Sequence, residues 1–159
     1  MIQPQTDRFG NYTIHPKLVA TDAMNTLLRG EISAVEAYKQ VIEKLADDPE
    51  HTRLLEFLKH HEKMVAYWRG RVTEKNMAAD DSSGPWGYVV EAFVGVAKLF
   101  GDTSALKALK KGEEHGLQEY YNFLENEYVS KEDKRYVRNE VIPALEMHVS
   151  SITAMTKMH

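Results

Sequence analysis

Two glutamates stand where a helix normally buries an apolar side chain, and both belong to one repeated motif. The motif Gly-Glu-x-x-x-(Val or Leu)-x-x-Tyr occupies residues 30–38 and recurs 82 positions later at residues 112–120. Each glutamate lies on a stripe of mostly apolar residues spaced in steps of three or four, which predicts the buried face of a helix. The stripes run Met24, Leu28, Glu31, Val35, Tyr38, Ile42, Leu45 and Leu106, Leu109, Glu113, Leu117, Tyr120, Leu124. A carboxylate on such a face is costly unless a partner neutralises it.

Histidines occupy inward positions on two further predicted helices. These stripes run Leu54, Leu58, His61, Val65, Trp68, Val72 and Val137, Val141, Ala144, His148, Ile152. In a helical hairpin that turns near Asp48, Glu31 lies 17 residues before the turn and His61 lies 13 after it. At roughly 1.5 Å per residue the difference is about 6 Å, one helical turn, so we expect the two side chains to meet.

The second hairpin brings its glutamate and histidine to nearly the same height. Glu113 lies 17 residues before Ser130, and His148 lies 18 after it. Two carboxylates and two imidazoles in a dry core form a ligand set for one divalent metal ion, either iron, manganese or zinc. We therefore predict Glu31, His61, Glu113 and His148 as ligands. Seven residues after each glutamate, Tyr38 and Tyr120 are predicted to donate hydrogen bonds that orient the carboxylates.

Four long helices must position these side chains, and no alternating strand pattern competes with them. We predict an irregular N-terminal strap over residues 1–17 and a single bundle over residues 18–159. Residues 47–49, Asp-Asp-Pro, provide a stop, an N-cap candidate in Asp48 and a proline for the first turn of the next helix. Ser130 resembles the start of a capping box, and Pro143 is predicted to kink the last helix. Two hairpins joined by a long crossover are the ferritin-like form of a four-helix bundle.

The crossover is predicted over residues 73–102 and includes a short apolar helix over residues 86–100. This helix is interpreted as a lid on the bundle, with a homodimer interface as the other role of its apolar face. Its length and its charged residues exclude a membrane span. We interpret the glycines of the chain as helix punctuation and close-packing positions.

Composition excludes several classes of function. The chain has 159 residues, 43% of them apolar, which suits one core and is too small for two domains. A formal net charge of −4 without a basic cluster argues against nucleic-acid binding. No cysteine is present, so thiolate ligands and a cysteine nucleophile are excluded. The first nine residues do not resemble a secretory signal, and we expect a cytoplasmic location.

The glutamate and tyrosine motifs resemble the ferritin-like superfamily, as in rubrerythrins and bacterioferritins. There an inward glutamate, followed seven positions later by tyrosine, opens each hairpin. The segments 27–31, Leu-Leu-Arg-Gly-Glu, and 109–113, Leu-Lys-Lys-Gly-Glu, look more like a bacterial branch known mainly as a ferritin-like domain of unknown function. The resemblance spans residues 18–157 and implies a metal-binding bundle.

One departure from the di-iron pattern limits what the resemblance implies. Di-iron proteins of this fold carry Glu-x-x-His on the second and fourth helices. Here Leu58 and Leu145 lie three positions before His61 and His148. Without these bridging glutamates, a cage for one ion is predicted in place of a di-iron centre, which argues against ferroxidase chemistry.

Two other interpretations stay open. One is a metal-free structural or protein-interaction module with a polar core layer. The other is a metal-dependent oxidoreductase, which would need an open path between helices to the ion. His60 is expected to face a neighbouring helix or solvent. The other glutamates near the motifs and the remaining histidines are expected to have no role in the site; they are Glu36, Glu62, Glu119, Glu146, His15, His51, His115 and His159.

Overall fold

Four long helical stretches account for most of the residues that the computed structural model describes, which are 15–75, 77–82 and 101–159. They are α1 (Pro16–Lys44), α2 (His51–Glu74), α3 (Asp102–Glu125) and a last stretch with three parts. The parts are α4 (Lys131–Tyr136), a π-helical turn (Val137–Val141) and α5 (Ile142–Thr156). No strand occurs in these ranges. The predicted all-α four-helix bundle is confirmed.

Side-chain pairs show the directions of the helices. The pairs are Tyr38 with Glu113 and Tyr120 with Glu31 between α1 and α3, and His61 with Glu113 and Trp68 with Tyr120 between α2 and α3. As residue numbers rise along α1, the numbers of their partners on α3 fall, so these two helices are antiparallel. Along α2 they run forwards, so α2 and α3 are parallel. A long crossover between α2 and α3 is required by this arrangement, as predicted.

Several predictions concern segments outside the described residues. These are the strap over residues 1–14, the short apolar helix over residues 86–100 and the dimer interface proposed on it. The start of the first helix is described. Helix α1 begins at Pro16, two residues before the predicted start of the bundle at residue 18. Pro16 suits the first helical turn because its fixed φ is helical and its missing amide hydrogen would have no helical acceptor there.

The turn between α1 and α2 differs in detail from its prediction. The N-cap residue of α2 is Glu50, and its side chain forms no capping hydrogen bond. Asp48 instead shapes the turn, because its Oδ1 accepts the Glu50 amide hydrogen with N and O 2.8 Å apart. Pro49 therefore precedes the first helical turn of α2, whereas the sequence placed it inside that turn.

The last helix departs from regular α-helical geometry just before Pro143, in a π-helical turn over Val137–Val141. The kink predicted at Pro143 stays a prediction. Proline lacks the amide hydrogen of the regular helical ladder, and its ring collides with the carbonyl of the residue four positions earlier, here Asn139. A wider turn just before the proline relieves that collision.

The apolar core consists of two clusters with a polar layer between them. The cluster nearer the α1–α2 turn includes Val41, Leu45, Leu54, Leu106 and Ile152. The other cluster includes Met24, Leu28, Trp68, Val137 and Val141. Between them along every helix lie the buried Glu31, His61, Glu113 and His148. Burial of the apolar stripes thus sets the rotation of each helix and turns these four side chains inward.

A second buried polar group joins α2 to the start of α4. Ser130 caps α4 by accepting the Asp133 amide hydrogen, N to O 3.0 Å, and its hydroxyl donates to Asp133 Oδ2 at 2.7 Å. Asp133 is 1% exposed and also accepts from Arg71 Nε at 2.7 Å and from the Tyr67 hydroxyl at 2.8 Å. Burial alone would raise the pKa of Asp133, but these hydrogen bonds lower it.

Replacement of this carboxylate is expected to destabilise the bundle strongly. In Asp133→Asn the Arg71 charge loses its buried partner, and we expect a loss of about 3 kcal/mol in the free energy of unfolding. The matched control is Glu132→Gln, because that side chain is 73% exposed and lies 3.6 Å from Arg71. The control should cost less than about 1 kcal/mol. Urea denaturation measures the free energy of unfolding of both variants. Equal losses in the two would contradict the stabilising role assigned to the buried Asp133 carboxylate.

Candidate metal centre

The four predicted ligands meet in the middle of the bundle, one from each long helical stretch. Glu31 comes from α1, His61 from α2, Glu113 from α3 and His148 from α5. None is more than 4% exposed. Buried ionisable groups of this kind need partners, and each of these has them.

Glu113 Oε1 is the centre of the arrangement. His61 Nε2 lies 3.0 Å from it, and His148 Nδ1 lies 2.9 Å from it. The other ring nitrogen of His61, Nδ1, lies 2.6 Å from Glu31 Oε2. His61 therefore bridges the two glutamates, whereas His148 contacts only Glu113 of the two.

The two tyrosines of the motifs cross between the hairpins. The Tyr38 hydroxyl donates to Glu113 Oε1, and the Tyr120 hydroxyl donates to Glu31 Oε1 at 2.6 Å. Each tyrosine thus bonds to the glutamate of the other motif, because α1 and α3 are antiparallel. Both tyrosines are buried. Their hydroxyls hold the carboxylates in one orientation.

Three of the four predicted ligands form a compact donor set. His61, Glu113 and His148 each offer one donor atom, and these atoms lie within 4.8 Å of one another. Glu31 lies on the far side of His61 from Glu113, where its carboxylate bonds to Nδ1. In this structure it holds the imidazole in place, and its direct ligation stays a prediction.

His60 is the residue whose place in the site was not predicted. Its Nδ1 lies 2.8 Å from His148 Nε2, and the two rings stack with centroids 5.1 Å apart. One feature of the sequence indicates this position. His60 precedes the inward-facing His61, so its side chain is rotated about 100° from that of His61 around the axis of α2, towards an adjoining helix. Its burial, and more weakly the nearby His148 and His61, lower its pKa.

The electrostatics of the site are dominated by the two carboxylates. Burial alone would lower the pKa of His61, but Glu113 and Glu31 outweigh it and raise that pKa to about 10. Burial would raise the pKa of Glu113, and the charge of His61 with the hydrogen bonds from His148 and His61 hold it well below its usual range. Without a metal ion, an imidazolium therefore lies between two carboxylates at neutral pH.

Burial and the carboxylates also raise the pKa values of Tyr38 and Tyr120. Burial is the larger cause for both tyrosines. The second cause is the negative charge of the neighbouring carboxylate, which is Glu113 for Tyr38 and Glu31 for Tyr120. Both phenols therefore stay protonated, as donors must. Trp68 Nε1 donates in turn to the Tyr120 hydroxyl at 2.9 Å, so this hydrogen-bond chain continues into the core.

Comparison with known proteins identifies a family but no activity. Residues 19–126 match the family model described as domain of unknown function DUF2383, which covers most of the chain. The chain belongs to the DUF2383 family. No curated protein and no solved structure matches it. The DUF2383 match contains both motifs and His61, and it ends before His148. In the described ranges, no helix has the length and hydrophobicity to span a membrane.

A cavity of about 380 Å³ lies beside the site, between α1 and α3 of the DUF2383 domain. The buried layer contributes Glu31, Tyr38, His61, Glu113 and Tyr120 to its lining, and the other polar lining residues are Thr26, Ser33, Lys111, His115 and Glu119. Most of its other lining residues come in pairs 82 positions apart, such as Leu27 with Leu109, Gly30 with Gly112 and Ala34 with Gly116. The repeat therefore generates a cavity with approximate twofold symmetry.

Among the described residues, the glycines of the motifs do not have the close packing that the sequence predicted for them. A Cβ atom built on Gly30 or Gly112 meets no described atom within 4 Å. Among the other glutamates near the motifs, Glu62 and Glu146 are exposed as expected. Glu119 is partly exposed and lines the cavity.

The stability of the metal-free protein should fall as the pH rises above neutrality. The folded-state pKa of His61, about 10, lies above its ordinary value of 6.5. The protonated imidazole therefore stabilises the folded protein fully when the pH is below the ordinary pKa. This stabilisation is lost as the pH rises towards the folded-state pKa. Urea denaturation with a chelator, repeated across this range, should show a steadily falling midpoint.

A matched variant separates this effect from other alkaline titrations. His61→Gln should be less stable at neutral pH and should lose the part of the alkaline decline that is due to His61. His115→Gln is the control, because His115 is exposed and pairs with Glu119 outside the buried layer. Equal slopes in all three proteins would show that His61 is not charged in the folded state.

Proposed function

We propose that one divalent metal ion, either zinc, manganese or iron, binds in the core of this bundle through His61, Glu113 and His148. The observation that carries the proposal is the convergence of three buried donor atoms within 4.8 Å, from three different helices. Two imidazole nitrogens and one carboxylate oxygen are a common ligand set for these metals. Because the donors are buried, an ion there has few competing water molecules.

The groups behind the two histidines support the same proposal. His61 Nδ1 lies 2.6 Å from Glu31 Oε2, and His148 Nε2 lies 2.8 Å from His60 Nδ1. Metal-binding histidines usually donate their second ring N–H to such a partner, which selects the tautomer. With these partners, His61 Nε2 and His148 Nδ1 are the nitrogens left to face the ion, beside Glu113.

The donor set favours one ion over two. The positions at which di-iron proteins carry bridging glutamates are held by Leu58 and Leu145, both buried. This supports the single-ion site inferred from the sequence within a ferritin-like bundle. When bound, an ion of this kind supplies a Lewis acid, or a redox centre in the case of iron or manganese. The cavity between α1 and α3 meets the spatial requirement of the oxidoreductase hypothesis, and the reaction itself stays a prediction.

A second candidate function is a metal-free polar layer that specifies the packing of the helices. It is favoured by the completeness of the hydrogen-bond network, in which the buried glutamates, histidines and tyrosines are already paired. A fully paired buried network can select one register of a bundle. The two candidates differ in whether the protein retains metal.

Removal of one ligand should abolish metal retention without unfolding the protein. Metal-free protein is loaded with zinc, manganese or iron(II), desalted and assayed by inductively coupled plasma mass spectrometry. About one ion per chain is expected for the wild type, and much less for Glu113→Gln or His148→Ala. The control is Glu114→Gln, an exposed neighbour that pairs with Lys110. No retained metal in the folded wild type would exclude the site and favour the polar layer.

His60 should tune the affinity of the site through His148. His60→Ala removes the partner of His148 Nε2, and a loss of about 10- to 100-fold in zinc affinity is expected. His60→Gln keeps a hydrogen-bond acceptor and should recover part of that loss. Competition with a chelating dye measures the affinities, with His115→Ala as the exposed control. Unchanged affinity in His60→Ala would mean that His148 is held by other contacts.

A further inference from the structure

The cavity between α1 and α3 has features that neither the metal proposal nor the polar layer requires. Its volume of about 380 Å³ lies at the lower end of the range for small-molecule sites, roughly 300–1,000 Å³. Its walls are largely apolar, with Leu27, Ala34, Ala37, Leu109 and Leu145 among the lining residues. A polar floor beneath apolar walls is typical of sites for organic molecules.

Glycines on both walls preserve the space. A glycine inside a helix is destabilising relative to alanine, so its position needs a reason. At Gly30 and Gly112 an added Cβ would meet no described atom within 4 Å, and at Gly116 the nearest is Leu145 Cδ1 at 3.8 Å. Close packing against the described helices therefore does not explain these glycines. Side chains there would narrow the cavity, and their absence keeps it wide.

An unpaired hydroxyl indicates that this space receives a polar atom. Ser33 lines the cavity and is only 4% exposed, and its Oγ has no hydrogen-bond partner in the described part of the chain. A serine inside a helix can bond to a backbone carbonyl one turn earlier, and Ser33 does not. An unpaired buried hydroxyl is destabilising, and a hydrogen bond to a ligand atom would remove that cost.

We infer that the cavity binds a small uncharged organic molecule, with an apolar body between α1 and α3 and a hydroxyl or carbonyl group bonded to Ser33. Anions are disfavoured because the lining residues include three carboxylates, Glu31, Glu113 and Glu119, and a single lysine, Lys111. Cations are disfavoured because the apolar walls cannot replace their hydration and the carboxylates are already hydrogen-bonded. This site does not depend on the metal, since its contacts are with the protein itself.

The test uses 4-fluorophenol as the probe, with binding to the full-length, metal-free protein followed by fluorine NMR in the presence of a chelator. Binding with a dissociation constant of about 1 mM or tighter is expected for the wild type. Ala34→Leu places three more carbons in the cavity and should weaken binding at least about tenfold, a loss of roughly 1.4 kcal/mol. Ala66→Leu makes the same change on an exposed face of α2 and should leave binding unchanged.

Two comparisons test the chemistry of the ligand. Ser33→Ala should weaken 4-fluorophenol and leave 4-fluorotoluene, which has no hydroxyl, unaffected. 4-Fluorobenzoate and 4-fluorobenzylammonium should bind more weakly than the phenol. If Ala34→Leu does not fold, Gly112→Leu against Gly70→Leu repeats the test, because Gly70 lies outside the cavity.

The inference is overturned if the wild type fails to bind the phenol, if Ala34→Leu binds as well as Ala66→Leu, or if a charged probe binds better. An equal effect of Ser33→Ala on phenol and toluene would overturn the assigned polar contact. Because every measurement is made without metal, a negative result here is independent of the outcome of metal loading.

Discussion

Two carboxylates buried in one apolar core are the constraint on which the rest of this bundle depends. Neither Glu31 nor Glu113 is more than 4% exposed, so each needs compensation that water cannot supply. For Glu113 the compensation comes from all the other helices, through Tyr38, His61 and His148. For Glu31 it comes from His61 and Tyr120. A bundle that slipped by one residue would lose these bonds. The polar layer therefore fixes the register of the two apolar clusters around it.

Much of this arrangement follows from one-dimensional spacing. Steps of four and three identify the buried face of each helix, and distance from a turn sets the height of a residue along it. These two quantities are enough to predict that Glu31, His61, Glu113 and His148 lie in a common layer. The same spacing placed the tyrosines on the buried face. It did not show that each would bond to the other motif's glutamate, which depends on α1 and α3 being antiparallel neighbours.

Other features depend on distances between helices, which periodicity does not contain. His60 lies on a flank of α2, and only the position of α5 shows that it meets His148. The cavity is a second case, since Gly30 and Gly112 are equally consistent with close packing or with open space until the separation of α1 and α3 is known. Ser33 belongs to this group too, because an unpaired hydroxyl is a property of its surroundings and not of its position in the sequence.

The repeat of the chain includes its glutamates and tyrosines but not its histidines, and this difference divides the roles of the two motifs. His61 follows Glu31 by 30 positions, whereas His148 follows Glu113 by 35. The two histidines therefore do not occupy equivalent positions of the repeat. Both imidazoles contact Glu113, whereas Glu31 bonds to His61 alone of the two, at the ring nitrogen that points away from Glu113. The motif at residues 112–120 therefore supplies a carboxylate, Glu113, that lies among the donor atoms. The motif at residues 30–38 supplies a carboxylate, Glu31, that holds the donor His61 in place.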